Sequence, residues 1–194
     1  KKDVIYLDPT DKLWPVGLNI LAPGGMFVDD EEKADWITGS VISVFMKITP
    51  KANWGQRMEH ILRNATMTAL TTKSPTLMTI QKLLTNKEYR QQITTTLKDP
   101  VLKQFWTDEF KMFGNMQKAD MISPLTNKLG EFITSTLSRH ILLQAESTIK
   151  FSDIMDQGKV LLVNLSKGNL GEERSGFFGT LIISLIQMAA YQRA

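Results

Sequence analysis

The stretch GKVLLVNLSKGNLGEERSGFFG, residues 158–179, is the feature that most restricts what this chain can fold into. Val160 to Leu165 is an apolar run rich in valine and leucine, without the polar alternation of a half-exposed strand. That pattern predicts a strand covered on both faces, as in a parallel sheet. A short loop follows, with Lys167 between Ser166 and Gly168, and then residues 172–193 are apolar on most sides through Phe177, Phe178, Leu181, Ile182, Leu185, Ile186, Met188 and Ala189. A helix of that composition has to be buried against a sheet. Gly176 and Gly179, one turn apart, offer a close backbone approach. Upstream, Ser152 is expected to cap a short helix that Gly158 ends in a left-handed conformation. A second strand candidate is VIYLDP, Val4 to Pro9, closed by an Asp-Pro turn. Two short strands make a poor sheet, so the sheet is expected to be incomplete.

Between these ends the pattern is helical. After a loop carrying Pro15, Gly17, Pro23, Gly24 and Gly25, Asp29 or Asp30 caps a helix with Ala34, Ile37, Val41, Phe45 and Ile48 at helical spacing, and Pro50 ends it. Asn53 as N-cap with Gln56 at the capping-box position opens a second helix, whose stripe is Trp54, Met58, Ile61, Leu62, Ala65 and Ala69. Shorter helices are expected over 76–84 and 88–97. Asp99 with Pro100 at the first helical position leads Val101, Leu102, Phe105, Trp106, Phe110 and Phe113, and Ser123 with Pro124 repeats that device ahead of Leu125, Leu129, Phe132, Ile133 and Leu137. The fold class is therefore mainly α with a small α/β part. Residues 1–28 and 146–194 form the strand-bearing pieces, and 29–145 an all-helical unit.

Composition narrows the function classes. With 42% hydrophobic residues a substantial core is affordable, and 23 basic against 20 acidic residues leave a net charge of only +3. Nucleic-acid binding is permitted by that balance and not demanded by it. The absence of cysteine excludes disulfides and thiolate metal sites, and fits a reducing compartment such as the cytoplasm. No stretch reads as a membrane span or a signal peptide. The abrupt opening on Lys1, Lys2 and Asp3 reads as a piece of a longer chain.

Lys167 raises the question of a phosphate-binding loop. A Walker A motif needs glycine before the lysine and a hydroxyl residue after it; here Gly168 follows Lys167, and the required spacing occurs nowhere in the chain. A helix amino end can hold phosphate, but Glu172 and Glu173 already satisfy that dipole and repel an anion. Residues 166–171 are thus expected to be a capped strand-to-helix connection with an exposed lysine. Asp8, after four apolar residues, has the place of a Walker B aspartate; proline follows it, and the simpler reading is a turn. His60 and His140 lack a metal-ligand spacing and read as helix-surface residues. The aromatic residues between 54 and 113 fall at core spacing rather than forming a base-stacking platform. Arg57, Arg63, Lys82, Lys87, Arg90, Lys98, Lys103 and Lys111 fall on presumed outer faces, where they could meet DNA phosphates or simply be solvated.

Several stretches together resemble a known family: DVIYLDPTDKLWPVGLNIL at 3–21, WGQRMEHILRNATMTAL at 54–70, DPVLKQFW at 99–106, SPLTNKLGEFI at 123–133, and above all IMDQGKVLLVNLSKGNLGEERSGFFGTLIISLIQMAAYQR at 154–193. They are similar to the conjugative DNA-transfer ATPases of the type IV secretion coupling-protein kind (TraG/TraD-like), ring-forming P-loop motors of the HerA/FtsK superfamily. The resemblance implies an internal piece of such a motor: an all-helical subdomain inserted into an incomplete RecA-like parallel sheet, with the Walker A loop upstream and the Walker B strand downstream. It implies ATP and magnesium as cofactors of the parent protein and none for the piece alone, and a homo-oligomeric ring. It further implies DNA and secretion or relaxosome proteins as partners, and a place at the cytoplasmic face of the inner membrane. Asn164, Ser166, Lys167 and Gly168 would form a loop facing nucleotide or a neighbouring subunit. Arg57, Arg63, Lys82, Lys87, Arg90 and Lys103 would be the DNA-contact candidates. The competing expectation is a stand-alone helical module that recognises a protein partner.

Overall fold

The computed structural model describes residues 3–23 and 30–191, the side chains at 30 and 115–119 excepted. Of the expected cap at Asp29 or Asp30, Asp29 and the Asp30 side chain lie outside the described residues. The chain is mainly helical. Strand β1 (Val4–Leu7) leads through a long loop to α1 (Asp30–Ile48), and α2 (Gln56–Leu70), α3 (Leu77–Thr85) and α4 (Lys87–Thr95) follow. Next come α5 (Pro100–Gln104), a π-helical turn (Phe105–Glu109), and α6 (Phe110–Met112). Then α7 (Asn115–Thr134), α8 (Thr136–Leu142) and α9 (Phe151–Asp156) precede β2 (Val160–Val163), α10 (Lys167–Leu170) and α11 (Glu172–Tyr191).

The two strands pair in parallel, Val4 opposite Val160 through Leu7 opposite Val163. The sheet is not covered on both faces as the apolar run predicts. Burial alternates: Leu7 is buried, Ile5, Leu161 and Val163 are partly so, and Val4, Tyr6, Val160 and Leu162 are 46–63% exposed. Leu7, Ile5, Leu161 and Val163 join the core and Val4, Tyr6, Val160 and Leu162 do not, so among the described residues only one of the two apolar faces is covered.

One contiguous core runs from the strands through the helices, and includes Leu7, Leu18, Phe45, Leu62, Ile80, Phe105, Phe132, Phe177 and Phe178. Its stripe on α2 is the expected one, with Met58, Ile61, Leu62, Ala65 and Ala69 buried. Trp54 is only half-buried and lies outside α2. Phe105, Trp106 and Phe110 form a buried aromatic cluster, with the Trp106 indole donating to Thr68 Oγ1 at 2.8 Å. Val101, expected on that face, is exposed.

Several local expectations fail for identifiable reasons. Asn53 does not cap α2: Pro50 starts a 3₁₀ turn over Lys51–Asn53, and extended Gly55 is the residue before the helix. A capping box does form at Thr76 and Thr79 instead. Pro124 does not open a helix but lies within α7. Its missing N–H removes a bond to the carbonyl four residues earlier, while Thr126 Oγ1 donates to the carbonyls of Ile122 and Ser123. The next helix starts after Ser135, whose hydroxyl accepts from the Ser138 amide. Lys150, not Ser152, precedes α9.

Gly158 behaves as expected. It has φ +59°, its N–H donates to the Met155 carbonyl, and the Lys159 N–H donates to that of Ile154. Those are the two bonds of a Schellman ending, and they aim the chain into β2. Gly158→Ala is expected to cost about 1–2 kcal/mol, because a Cβ is strained at that φ; urea denaturation measures it. The close backbone approach expected at Gly176 and Gly179 is not found among the described residues: a Cβ at Gly179 would lie 3.2 Å from a side-chain atom, Leu165 Cδ1, and Gly176 is exposed with nothing within 4 Å. Among the described residues no helix is long and apolar enough to cross a membrane.

Candidate functional site

Parallel pairing brings the carboxyl ends of β1 and β2 together. The Asn164 amide N–H extends the ladder to the Leu7 carbonyl at 2.9 Å, and its side-chain Nδ2 donates to Asp8 Oδ2 at 2.9 Å. Asp8 Oδ1 accepts from the Thr10 amide at 2.8 Å and from Thr10 Oγ1 at 2.6 Å, the geometry of an Asx turn. Asp8 thus closes the turn after its own strand and clasps the end of the other. The Thr10 hydroxyl above all holds the Asp8 carboxyl below its ordinary value of 3.8 against the opposing effect of burial, with the Thr10 amide, Asn164 and Tyr6 adding to the lowering. A carboxyl depressed on folding stabilises the fold above its unfolded value, and that contribution is lost as pH falls through the folded value. Asp8→Asn is therefore expected to cost about 1 kcal/mol at pH 7, with the difference from wild type closing as urea midpoints are followed down to pH 3.

From Asn164 the chain is tied into the next helix at each step. Asn164 Oδ1 accepts from the Ser166 amide at 3.1 Å, and the Ser166 carbonyl accepts from Asn169 and Leu170, winding residues 167–170 into a helical turn. Gly171, at φ +79°, reverses the chain into α11. Two side chains of α11 reach back: Ser175 Oγ donates to the Leu165 carbonyl at 2.7 Å, and Arg174 Nε donates to the Leu170 carbonyl at 2.6 Å. Arg174 also reaches Ser135 Oγ at 3.1 Å, joining the loop to the start of α8.

Ser166, Lys167 and Gly168 are exposed. Lys167 Nζ donates to Glu172 Oε1 at 2.7 Å, and this contact holds the Glu172 carboxyl below its ordinary value. The lysine is thereby turned to a carboxylate of the following helix, and the first turn of α11 carries Glu172 and Glu173 where a phosphate would have to sit. Beside it, the proximity of the Glu131 and Glu173 carboxyls holds Glu131 below its ordinary value and pushes Glu173 above its own, with Lys128 Nζ 2.9 Å from Glu131.

The basic candidates are spread over four helices and have different roles. Arg57, Lys87 and Lys103 are exposed; Arg63 pairs with Glu59 one turn earlier at 3.2 Å, and Lys82 lies 5.6 Å from the Tyr89 ring centre. Arg90 is half-buried. Its Nη1 donates to the carbonyls of Leu83 and Leu84, at 2.9 and 3.2 Å, and its guanidinium lies 4.9 Å from the Phe110 ring centre. It therefore satisfies the carboxyl end of α3 and is committed to the fold. His140 is exposed; His60 is half-exposed, with Nε2 2.8 Å from Glu109 Oε2, a pairing set up by the π-helical turn. Among the described residues no group of three histidine, aspartate or glutamate side chains is placed to hold a metal ion.

Sequence reasoning did not find the Asp8–Asn164 clasp, because its partners are 156 residues apart. It also missed Arg174 and Ser175, the residues that hold the loop carbonyls. No family model, curated protein or solved structure matches this chain.

Proposed function

We propose that these 194 residues are the middle of an ATP-driven DNA-translocating motor of the type IV secretion and conjugation kind. The helical part between the strands is the subdomain that meets DNA or substrate proteins. The two strands and α11 belong to a RecA-like core whose phosphate- and magnesium-binding motifs lie outside these residues. The observation that carries the reading is the parallel pairing of two strands at opposite ends of the sequence, which joins Asp8 to Asn164 and sets the 164–168 loop at the carboxyl edge of the sheet. Ligands in open α/β folds bind at that edge. In a ring the loop faces nucleotide or the neighbouring subunit. Lys167, already paired with Glu172, acts there as a surface charge rather than as a phosphate ligand.

The chain by itself is expected to show no ATP turnover above background, since the Walker A spacing that binds β/γ-phosphates with magnesium does not occur in its sequence. DNA binding by the same chain is expected to weaken steeply with salt. Arg57→Gln and Lys103→Gln should each reduce the slope of log affinity against log salt by about 1 if each meets one phosphate. No affinity for DNA at low salt removes the DNA-facing role, and turnover abolished by Lys167→Ala overturns the account of the loop.

A further inference from the structure

The open side of β1 is a built slot. Val160 donates its N–H to the Asp3 carbonyl and Asn164 donates to that of Leu7, at 2.7 and 2.9 Å. In a parallel ladder alternate residues serve one neighbour, so residues 3, 5 and 7 face β2, and Val4 and Tyr6 turn their N–H and C=O groups to the other side. No described strand pairs there. A groove of about 560 Å³ runs along that side. Consecutive residues Ile5, Tyr6 and Leu7 all line it, so it follows the strand edge rather than one face of the sheet. Val16 and Ile149 form part of the apolar far wall, which is fixed by the reciprocal bonds of Gly17 and Thr148: the Gly17 amide donates to Thr148 Oγ1 and the Thr148 amide to the Gly17 carbonyl. At the carboxyl end the groove carries the carboxylates of Asp8 and Asp11 and, among the described residues, no lysine or arginine. Asp8 is held in its charged form by Thr10 and Asn164. Asp11 Oδ1 accepts from the amides of Leu13 and Trp14, and Trp14 stands 83% exposed at the rim.

We propose that this groove binds an extended segment of another polypeptide as an added strand. That segment pairs its backbone with Val4 and Tyr6, alternates apolar residues into the slot, and sets a lysine or arginine against Asp8 and Asp11. Open strand edges recruit strands in this way, the backbone supplying affinity and the flanking side chains specificity. The charge is what singles out this occupant, because an acidic or neutral strand brings no opposite charge to the two carboxylates. The open edge is that of the described residues, and under the motor reading a further strand of the same core seated there takes the place of the peptide.

The probe is the blocked heptapeptide Lys-Val-Thr-Val-Thr-Val-Lys, which presents a cation at the Asp8 end in either strand direction. At saturation it is expected to slow hydrogen exchange of the Val4 and Tyr6 amides at least tenfold. Replacing both lysines with glutamate, or N-methylating alternate peptide bonds, is expected to weaken binding at least tenfold, with the protein itself unaltered. Asp11→Asn keeps the oxygen that accepts from Leu13 and Trp14, and is expected to weaken binding of the lysine peptide several-fold. The proposal is overturned by no protection at millimolar peptide, or by equal affinity for the glutamate or N-methylated peptide. It is also overturned by Val4 and Tyr6 amides already protected in a dimer of the chain alone, which would make a second copy the occupant.

Discussion

Asn19→Ala is expected to lower the unfolding free energy by about 3–5 kcal/mol, a large share of a typical domain's stability. Asn19 is fully buried. Its Nδ2 donates to the carbonyls of Pro75, Gln144 and Ala145 at 2.9–3.0 Å, while Oδ1 accepts from the Leu21 amide at 3.0 Å. One side chain thus satisfies backbone groups from the segment after β1, the turn before α3 and the segment after α8. Alanine strands these groups in the interior, and each costs about 1–3 kcal/mol unless water enters. Asn19→Asp is expected to be worse at neutral pH, because a carboxylate would face three carbonyl oxygens with no donor left to give. Urea denaturation of both variants checks the order. Asn64→Ala, which loses only short-range contacts to the His60 carbonyl and Nδ1 one turn earlier, should cost only about 1 kcal/mol.

Asn19 also shows where sequence reading stops. Nothing in VGLNILAP distinguishes this asparagine from any loop asparagine, since the carbonyls its amide serves lie 56 to 126 residues away. Residues whose physics is local are legible. Asp99 with Pro100 caps and opens α5, the stripe of α2 is buried, and Gly158 takes the left-handed ending. Yet the same local signal at Ser123 and Pro124 misleads, because α7 already runs through these positions and the helix carries its proline inside. Asn53 and Gln56 likewise match a capping pattern that the turn after Pro50 overrides. At the candidate site, the misplaced glycine and the two glutamates already argue against a phosphate cradle, and Lys167 is found on Glu172. The clasp of Asp8 on Asn164 depends on strand register, which no local pattern carries. The apolar run of β2 correctly predicts a strand but wrongly predicts cover on both faces, because periodicity does not say whether a second layer is there.

Phe177→Ala is expected to be as damaging as the loss of Asn19, about 3–5 kcal/mol, through a different mechanism. The Phe177 ring stacks on Phe132 of α7 with centres 3.8 Å apart, meets Phe178 edge-on at 5.6 Å, and all three side chains are at most 1% exposed. A cavity there has apolar walls and no polar partner for water, so it stays empty and the surrounding contacts are lost outright. Phe177→Leu keeps most of the volume and should cost about 1.5 kcal/mol or less, and Ile183→Ala, at a position 61% exposed on the same helix, should stay within about 0.5 kcal/mol. Phe132→Ala combined with Phe177→Ala should cost less than the sum of the two, since both open one cavity. The loss also reaches the loop. Phe177 lies just beyond Arg174 and Ser175, which hold the Leu170 and Leu165 carbonyls. Once α11 is no longer anchored on α7, those two bonds lose their fixed geometry. Hydrogen exchange of the Ser166, Asn169 and Leu170 amides should then speed up in Phe177→Ala by more than in a variant of equal global instability made elsewhere, such as Asn19→Ala. Equal acceleration in both would mean that the loop opens only when the whole chain unfolds.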